Sequence, residues 1–203
     1  MKPVKPSLPD TQLTLGGMQA DQSTDRLFFA IFPEPDTAAA IGRLAQSLRR
    51  EQALRHKPLA AERLHVTLHH LGDYAGLPQA VVTSACEAAK RVEGSAFDVS
   101  FDSISSFSGR SHNRPFVLCG SNGLQAVRAF QRELGERMVA VGLGRFCERK
   151  FTPHVTLLYD DHLFEAQFIE PIVWTVHEFR LVHSLLGRGE HRVLGRWPLR
   201  PLP

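Results

Sequence analysis

A chain of 203 residues can build one well-buried core, or two small lobes that share one. Hydrophobic residues at 43% and charged residues at 22% exclude a disordered chain, and no apolar run approaches the roughly 20 residues that cross a bilayer or the apolar core of a secretory leader. The expectation is a soluble, cytoplasmic, monomeric protein that makes no use of a membrane; its net charge of +3 suits a polyanionic partner without specifying one.

In chain order, residues 1–24 carry Pro3, Pro6 and Pro9 without periodicity and read as a flexible tail, leaving residues 25–203 as a single domain. Leu27 to Phe32 is an apolar run stopped by Pro33-Glu34-Pro35, the pattern of a buried strand and a turn. Asp36 is placed to cap a helix whose Ile41, Leu44, Ala45 and Leu48 recur at helical spacing to about residue 54. Leu64 to Leu71 reads as a strand and residues 78–92 as a helix.

Phe97, Val99 and Phe101 alternate with polar residues, and Phe116 to Cys119 resume a strand after a polar loop from Ser105 to Pro115. Asn122 and Gln125 have the spacing of a capping box ahead of a helix that Gly142 ends. Strands follow over about 152–159, 173–184 and 191–199, giving an α+β fold with mainly antiparallel sheet. Cys86, Cys119 and Cys147 lie far apart with no CxxC pair, so they are expected to be buried free thiols rather than a disulfide or zinc framework.

The chemistry concentrates in a repeated tetrapeptide. His65-Val66-Thr67-Leu68 returns as His154-Val155-Thr156-Leu157, 89 residues later, and both copies fall in strands. Side chains alternate along a strand, so each copy puts His and Thr on one face and Val and Leu on the other. Two such strands set about a local two-fold axis would bring two imidazoles and two hydroxyls to one point. That set suits a cyclic phosphate: histidine titrates near neutral pH and can serve as base or acid, and hydroxyls can donate to the non-bridging oxygens. Packing alone explains either copy; it does not explain both, since strand interiors call for Val and Leu rather than His.

Arg63-Leu-His-Val-Thr-Leu-His-His-Leu-Gly72 and Phe151-Thr-Pro-His-Val-Thr-Leu-Leu-Tyr159 resemble the paired motifs of the two-histidine (2H) phosphoesterases, nearest to the bacterial 2′-5′ RNA ligase or RNA 2′,3′-cyclic phosphodiesterase branch. The similarity runs through Arg26 to Pro33, Arg114 to Gly120 and Trp197 to Leu199. It implies two mainly antiparallel sheets related by a pseudo-two-fold axis, helices on the outer faces and an open central cleft. It also implies hydrolysis of an RNA or nucleotide 2′,3′-cyclic phosphate to a 2′-phosphate without metal or cofactor, with weak reversible 2′-5′ ligation in some members. His65 and His154 would be catalytic, His154 the base and His65 the acid by analogy, and Thr67 and Thr156 would bind phosphate.

Two positions depart from the pattern. His70 stands where the first motif usually carries an aromatic, and Tyr159 near where many relatives have an arginine. Arg110, Arg114, Arg149 or Lys150 would then supply the missing cation, His69 would line the cleft beside His65 and Thr67, and Phe151 and Tyr159 would stack a base. Two other readings compete. His65 and His69 have the i, i+4 spacing of a helical zinc pair, but Val66 occupies the place of the HExxH glutamate and the sequence favours a strand. A module that binds RNA ends or nucleotides without turning them over is the alternative to an enzyme.

Overall fold

The computed structural model describes residues 23–107, 113–148 and 150–201. In chain order the main elements are β1 (Asp25–Ile31), α1 (Pro35–Glu51), β2 (Val66–Tyr74), α2 (Gln79–Lys90), β3 (Phe97–Ser106), β4 (Arg114–Cys119), α3 (Gln125–Ala140), β5 (Val155–Asp160), β6 (Gln167–Val176), β7 (Glu178–Leu185) and β8 (Glu190–Pro198). The strands form two antiparallel sheets, ordered β2-β1-β7-β8 and β5-β4-β3-β6. The fold is thus the two-sheet α+β architecture expected, and its symmetry is visible in the strand orders: β2 and β5, which carry the tetrapeptides, are corresponding edge strands.

Alternation along β1 shows how one strand serves two environments. Leu27, Phe29 and Ile31 enter the main core, while Phe28 and Ala30 point to the opposite face, where they pack with Val182 and Phe32. The main core is continuous between the sheets. Phe29, Phe130 and Phe179 meet there, and Phe101 stacks on Trp174 at 5.0 Å. Although α1 follows β1 of the first sheet, it packs against β5 and β6 of the second, so the lobes are tied by shared apolar burial.

Several local expectations are corrected. The segment expected as one strand over 173–184 is two strands of different sheets, broken at His177. The buried positions show why: Trp174 and Val176 are even-numbered while Phe179 and Leu181 are odd-numbered, and a period-2 pattern that changes phase marks a break. Glu34, not Asp36, precedes α1, whose first helical residue is Pro35; Asp36 sits in the first turn, where its charge still complements the helix dipole. The capping box does not form, since Leu124 precedes α3 and the Gln125 side chain accepts from the Gly123 N–H instead, at 3.1 Å.

The three thiols are free but half-buried rather than fully buried. The tail expected over residues 1–24 falls, for residues 1–22, outside the described residues; Thr24 is already held, by backbone bonds with Tyr74 and Leu186. Among the described residues no helix is long and apolar enough to cross a membrane.

Candidate active site

Between the motif strands lies a cleft of about 450 Å³ whose lining includes His65, Thr67, His154 and Thr156. The repeat expected from sequence is repeated in geometry. His65 donates Nδ1–H to the Arg63 carbonyl at 2.6 Å, and His154 donates Nδ1–H to the Thr152 carbonyl at 2.7 Å. A carbonyl only accepts, so each ring is fixed as the Nδ1–H tautomer when neutral, leaving Nε2 to accept or carry a proton.

A second correspondence decides which neighbours reach the cleft. In β2, Phe29 pairs with His69 but Ala30 pairs with Thr67, so Leu68 is an extra residue; in β5, Phe116 pairs with Leu158 but Val117 pairs with Thr156, so Leu157 is the extra one. These two bulges lie 89 residues apart, like the tetrapeptides. Each resets the alternation, so that two consecutive residues, Leu68-His69 and Leu157-Leu158, are buried. The residue that returns to the cleft is therefore His70 in one lobe and Tyr159 in the other. His69, expected beside His65, is instead 2% exposed and bonds through Nε2 to the Gln131 carbonyl of α3 at 2.8 Å. His65 and His69 thus face opposite sides of β2 and cannot share a metal.

The cations expected to replace the missing arginine are also corrected. Arg114 donates to the Asp161 carbonyl at 2.7 Å, away from the cleft. Lys150 is exposed and Phe151 packs against the main core, neither forming part of the cleft lining. Arg110 and Arg149 lie outside the described residues. The cleft holds cations that strand periodicity had not singled out, Arg26 and Arg63. Arg26 pairs with Asp73 through two 2.7 Å bonds. Asp73 also accepts from His70 at 2.9 Å, and these partners, led by the Arg26 guanidinium, hold its carboxyl down to about 2. Arg26 was legible as the cleft-face partner of Phe28, two residues on.

Arg63 opens the first motif, and its Nε is buried without a hydrogen-bond partner among the described residues. A Cβ on Gly189 would lie 3.3 Å from its guanidinium, so the β7–β8 turn closes against it. His191, at the start of β8, was not foreseen. It lies in the cleft, edge-on to His65 with ring centroids 5.4 Å apart.

Burial pushes the His65 imidazole down to about 4, with the charges of His191, His154 and Arg63 acting in the same direction. His191 is likewise pushed down to about 4, by burial and by Arg63. Burial also lowers His154. At neutral pH the His65, His154 and His191 imidazoles are thus neutral; around them stand the Arg63 guanidinium, Arg26 paired with Asp73, and Glu148.

The sequence profile of the 2′-5′ RNA ligase superfamily matches residues 33–188. Among solved structures, apo LigT of E. coli is 28% identical with a TM-score of 0.66, over 88% of this chain and 99% of that one. E. coli LigT complexed with 3′-AMP is 27% identical with a TM-score of 0.62, over 87% and 98%. TT0787 of Thermus thermophilus, at 22% identity and a TM-score of 0.66 over 87% and 98%, shares the fold. No curated protein sequence gives a match.

Proposed function

The chain belongs to the 2′-5′ RNA ligase superfamily, and from that premise we propose that it hydrolyses RNA 2′,3′-cyclic phosphate ends to 2′-phosphates by proton transfer between His65 and His154. The observation that carries this reading is the matched pair of imidazoles, each locked through Nδ1 to a carbonyl two residues earlier, on the walls of one cleft. The structure of E. coli LigT with 3′-AMP supports a nucleotide phosphate as the occupant.

In the reaction, His154 Nε2 takes a proton from water as the water oxygen attacks phosphorus, and the P–O3′ bond breaks as His65 Nε2–H protonates O3′. The hydroxyls of Thr67 and Thr156 hold the non-bridging oxygens, where charge accumulates. Burial lowers the proton affinity of His65 in the free protein, and the negative charge of the bound phosphate raises it again, so that His65 carries its proton in the complex, where the acid is needed. Proton exchange with solvent then restores both rings. With an RNA 5′-hydroxyl in place of water, the same transfers form a 2′-5′ linkage, which accounts for reversible ligation as a side reaction.

The test is turnover of an oligonucleotide ending in a 2′,3′-cyclic phosphate, in chelator, with the product isomer identified. A 2′-phosphate formed at undiminished rate is expected. Tight binding without turnover would favour the non-catalytic RNA-end binder, and activity restored only by zinc or magnesium would replace the two-histidine mechanism with a metal-hydroxide one.

A further inference from the structure

A second cavity lies where the end of α1 meets the segment that follows it. It measures about 300 Å³ and is lined by Gln46, Arg49, Arg50, Lys57 and Pro58, with no carboxylate. Between Arg43 and Lys57 the chain carries five Lys or Arg against one acidic residue, Glu51, an excess of four, whereas the whole protein has a net charge of +3. Three of these five cations line the cavity. Cations in the last turn of α1 complement the helix dipole, which accounts for Arg49 and Arg50. It does not account for Lys57, six residues beyond the helix, or for a cavity that draws all three together.

Two further observations join this cavity to a ligand and to the active site. Arg49 lines this cavity, and its Nε is buried without a hydrogen-bond partner among the described residues. The segment after α1 is also fixed against the second motif strand: Asp160 accepts from the N–H groups of Arg55 and His56 at 2.8 and 3.4 Å, and Leu59 donates its N–H to the Leu157 carbonyl at 2.7 Å. Leu59 itself lines the cleft. Lys57 in the basic cavity and Leu59 in the cleft wall are two residues apart, at most about 7.6 Å between Cα atoms. Despite its burial, Asp160 is held ionised by its hydrogen bonds to His162, Arg55 and His56, so the segment stays anchored across the working pH range.

We propose that Arg49, Arg50 and Lys57 form a subsite for a backbone phosphate of the RNA strand whose cyclic end occupies the cleft, making the substrate an oligonucleotide rather than a free cyclic nucleotide. The placement of the strand rests on the proposed cyclic-phosphate reaction. Guanidinium and ammonium groups recognise phosphate by charge-assisted hydrogen bonds, and contacts of this kind set register and affinity without reading sequence.

The experiment compares wild type with R50Q/K57Q, both exposed positions, and with R49Q, using a short RNA with a 2′,3′-cyclic end and the matching cyclic mononucleotide. KM for the oligonucleotide is expected to rise severalfold with kcat unchanged, and both constants for the mononucleotide to stay at wild-type values. In parallel, anisotropy of a labelled RNA ending in a 2′-phosphate, titrated against salt, is expected to lose about 0.7 from its log–log slope for the one phosphate contact removed. Equal KM values and equal salt slopes in R50Q/K57Q and wild type would overturn the subsite. Because Arg49 also reaches the Arg55 carbonyl, R50Q/K57Q is the deciding variant and R49Q corroborates it. If no variant, wild type included, turns over either substrate, the reaction fails while the salt titration still decides the subsite.

Discussion

The two halves of the cleft begin from the same tetrapeptide, on corresponding edge strands, with the same carbonyl lock and the same bulge one residue after the threonine, and they end in different electrostatic states. His65 is enclosed: it stacks on Phe28 at 4.9 Å, lies near Phe32 at 5.6 Å and has His191 at its edge. His154 has one ring neighbour among the described residues, Phe107, edge-on at 4.8 Å. Burial pushes the enclosed ring down to about 4 and also lowers the open one, while the carbonyl partner of each acts the other way. Identical local sequence thus fixes which nitrogen is free, and the surroundings set how readily it holds a proton. The more depressed ring, His65, is the one proposed as the acid, so in that role its protonation depends on the bound phosphate anion.

The largest effect that tests this comparison is removal of either ring. H65A and H154A are each expected to lower kcat by about 10²-fold or more, and the double variant to lose little beyond the worse single one, because the pair acts as a unit. Near-wild-type turnover in either single variant would break the equivalence of the halves. T67A and T156A are expected to cost about tenfold each, the scale of one hydrogen bond to a developing charge. Rates on the cyclic-ended RNA measure both series, and a loss confined to one threonine would show that one lobe alone holds the phosphate.

The asymmetry should also appear in pH profiles. The kcat/KM profile reports the free enzyme, where His65 and His154 are depressed, whereas kcat reports the complex, where the phosphate anion favours imidazolium. The kcat profile is expected to lie about a unit higher in pH, and coincident profiles would contradict the argument. Replacing His191 by Asn removes a charge that lowers His65, so the limb that reports His65 should move to higher pH, by less than about a unit.

The smallest effect concerns stability. His65 has a folded-state value of about 4 against 6.5 for the exposed group, so the unfolded chain binds the extra proton between those values. Stability is then fully present above about pH 6.5 and is lost as pH falls toward 4. Between about pH 7 and about pH 6 the loss is about 0.7 kcal/mol. Denaturant unfolding at about pH 7 and about pH 6 should show a decrement smaller by this amount in H65Q than in wild type, with His191 and His154 supplying the remainder; an equal decrement in H65Q would place the acid sensitivity elsewhere.

Much of this was readable from the chain. The repeated His-x-Thr, its strand context and the period-2 face it requires located His65, Thr67, His154 and Thr156 in one cleft, because that information is local to four residues and repeated once. The main apolar strands and helices were legible for the same reason: their periodicity is carried by adjacent turns and pleats. Other features depended on relations between distant segments. The bulges at Leu68 and Leu157 are visible only in the pairing with β1 and β4, yet the first exchanges His69 for His70 as the cleft residue. Arg26, Arg63 and His191 come from separate elements and meet only when the first sheet assembles. The sequence by itself determined the two His-x-Thr pairs and the faces they occupy, since side-chain chemistry and strand alternation are properties of the local chain. Only the tertiary structure decided their proton affinities and the cations around them, because burial and electrostatic fields are summed over everything the fold brings near.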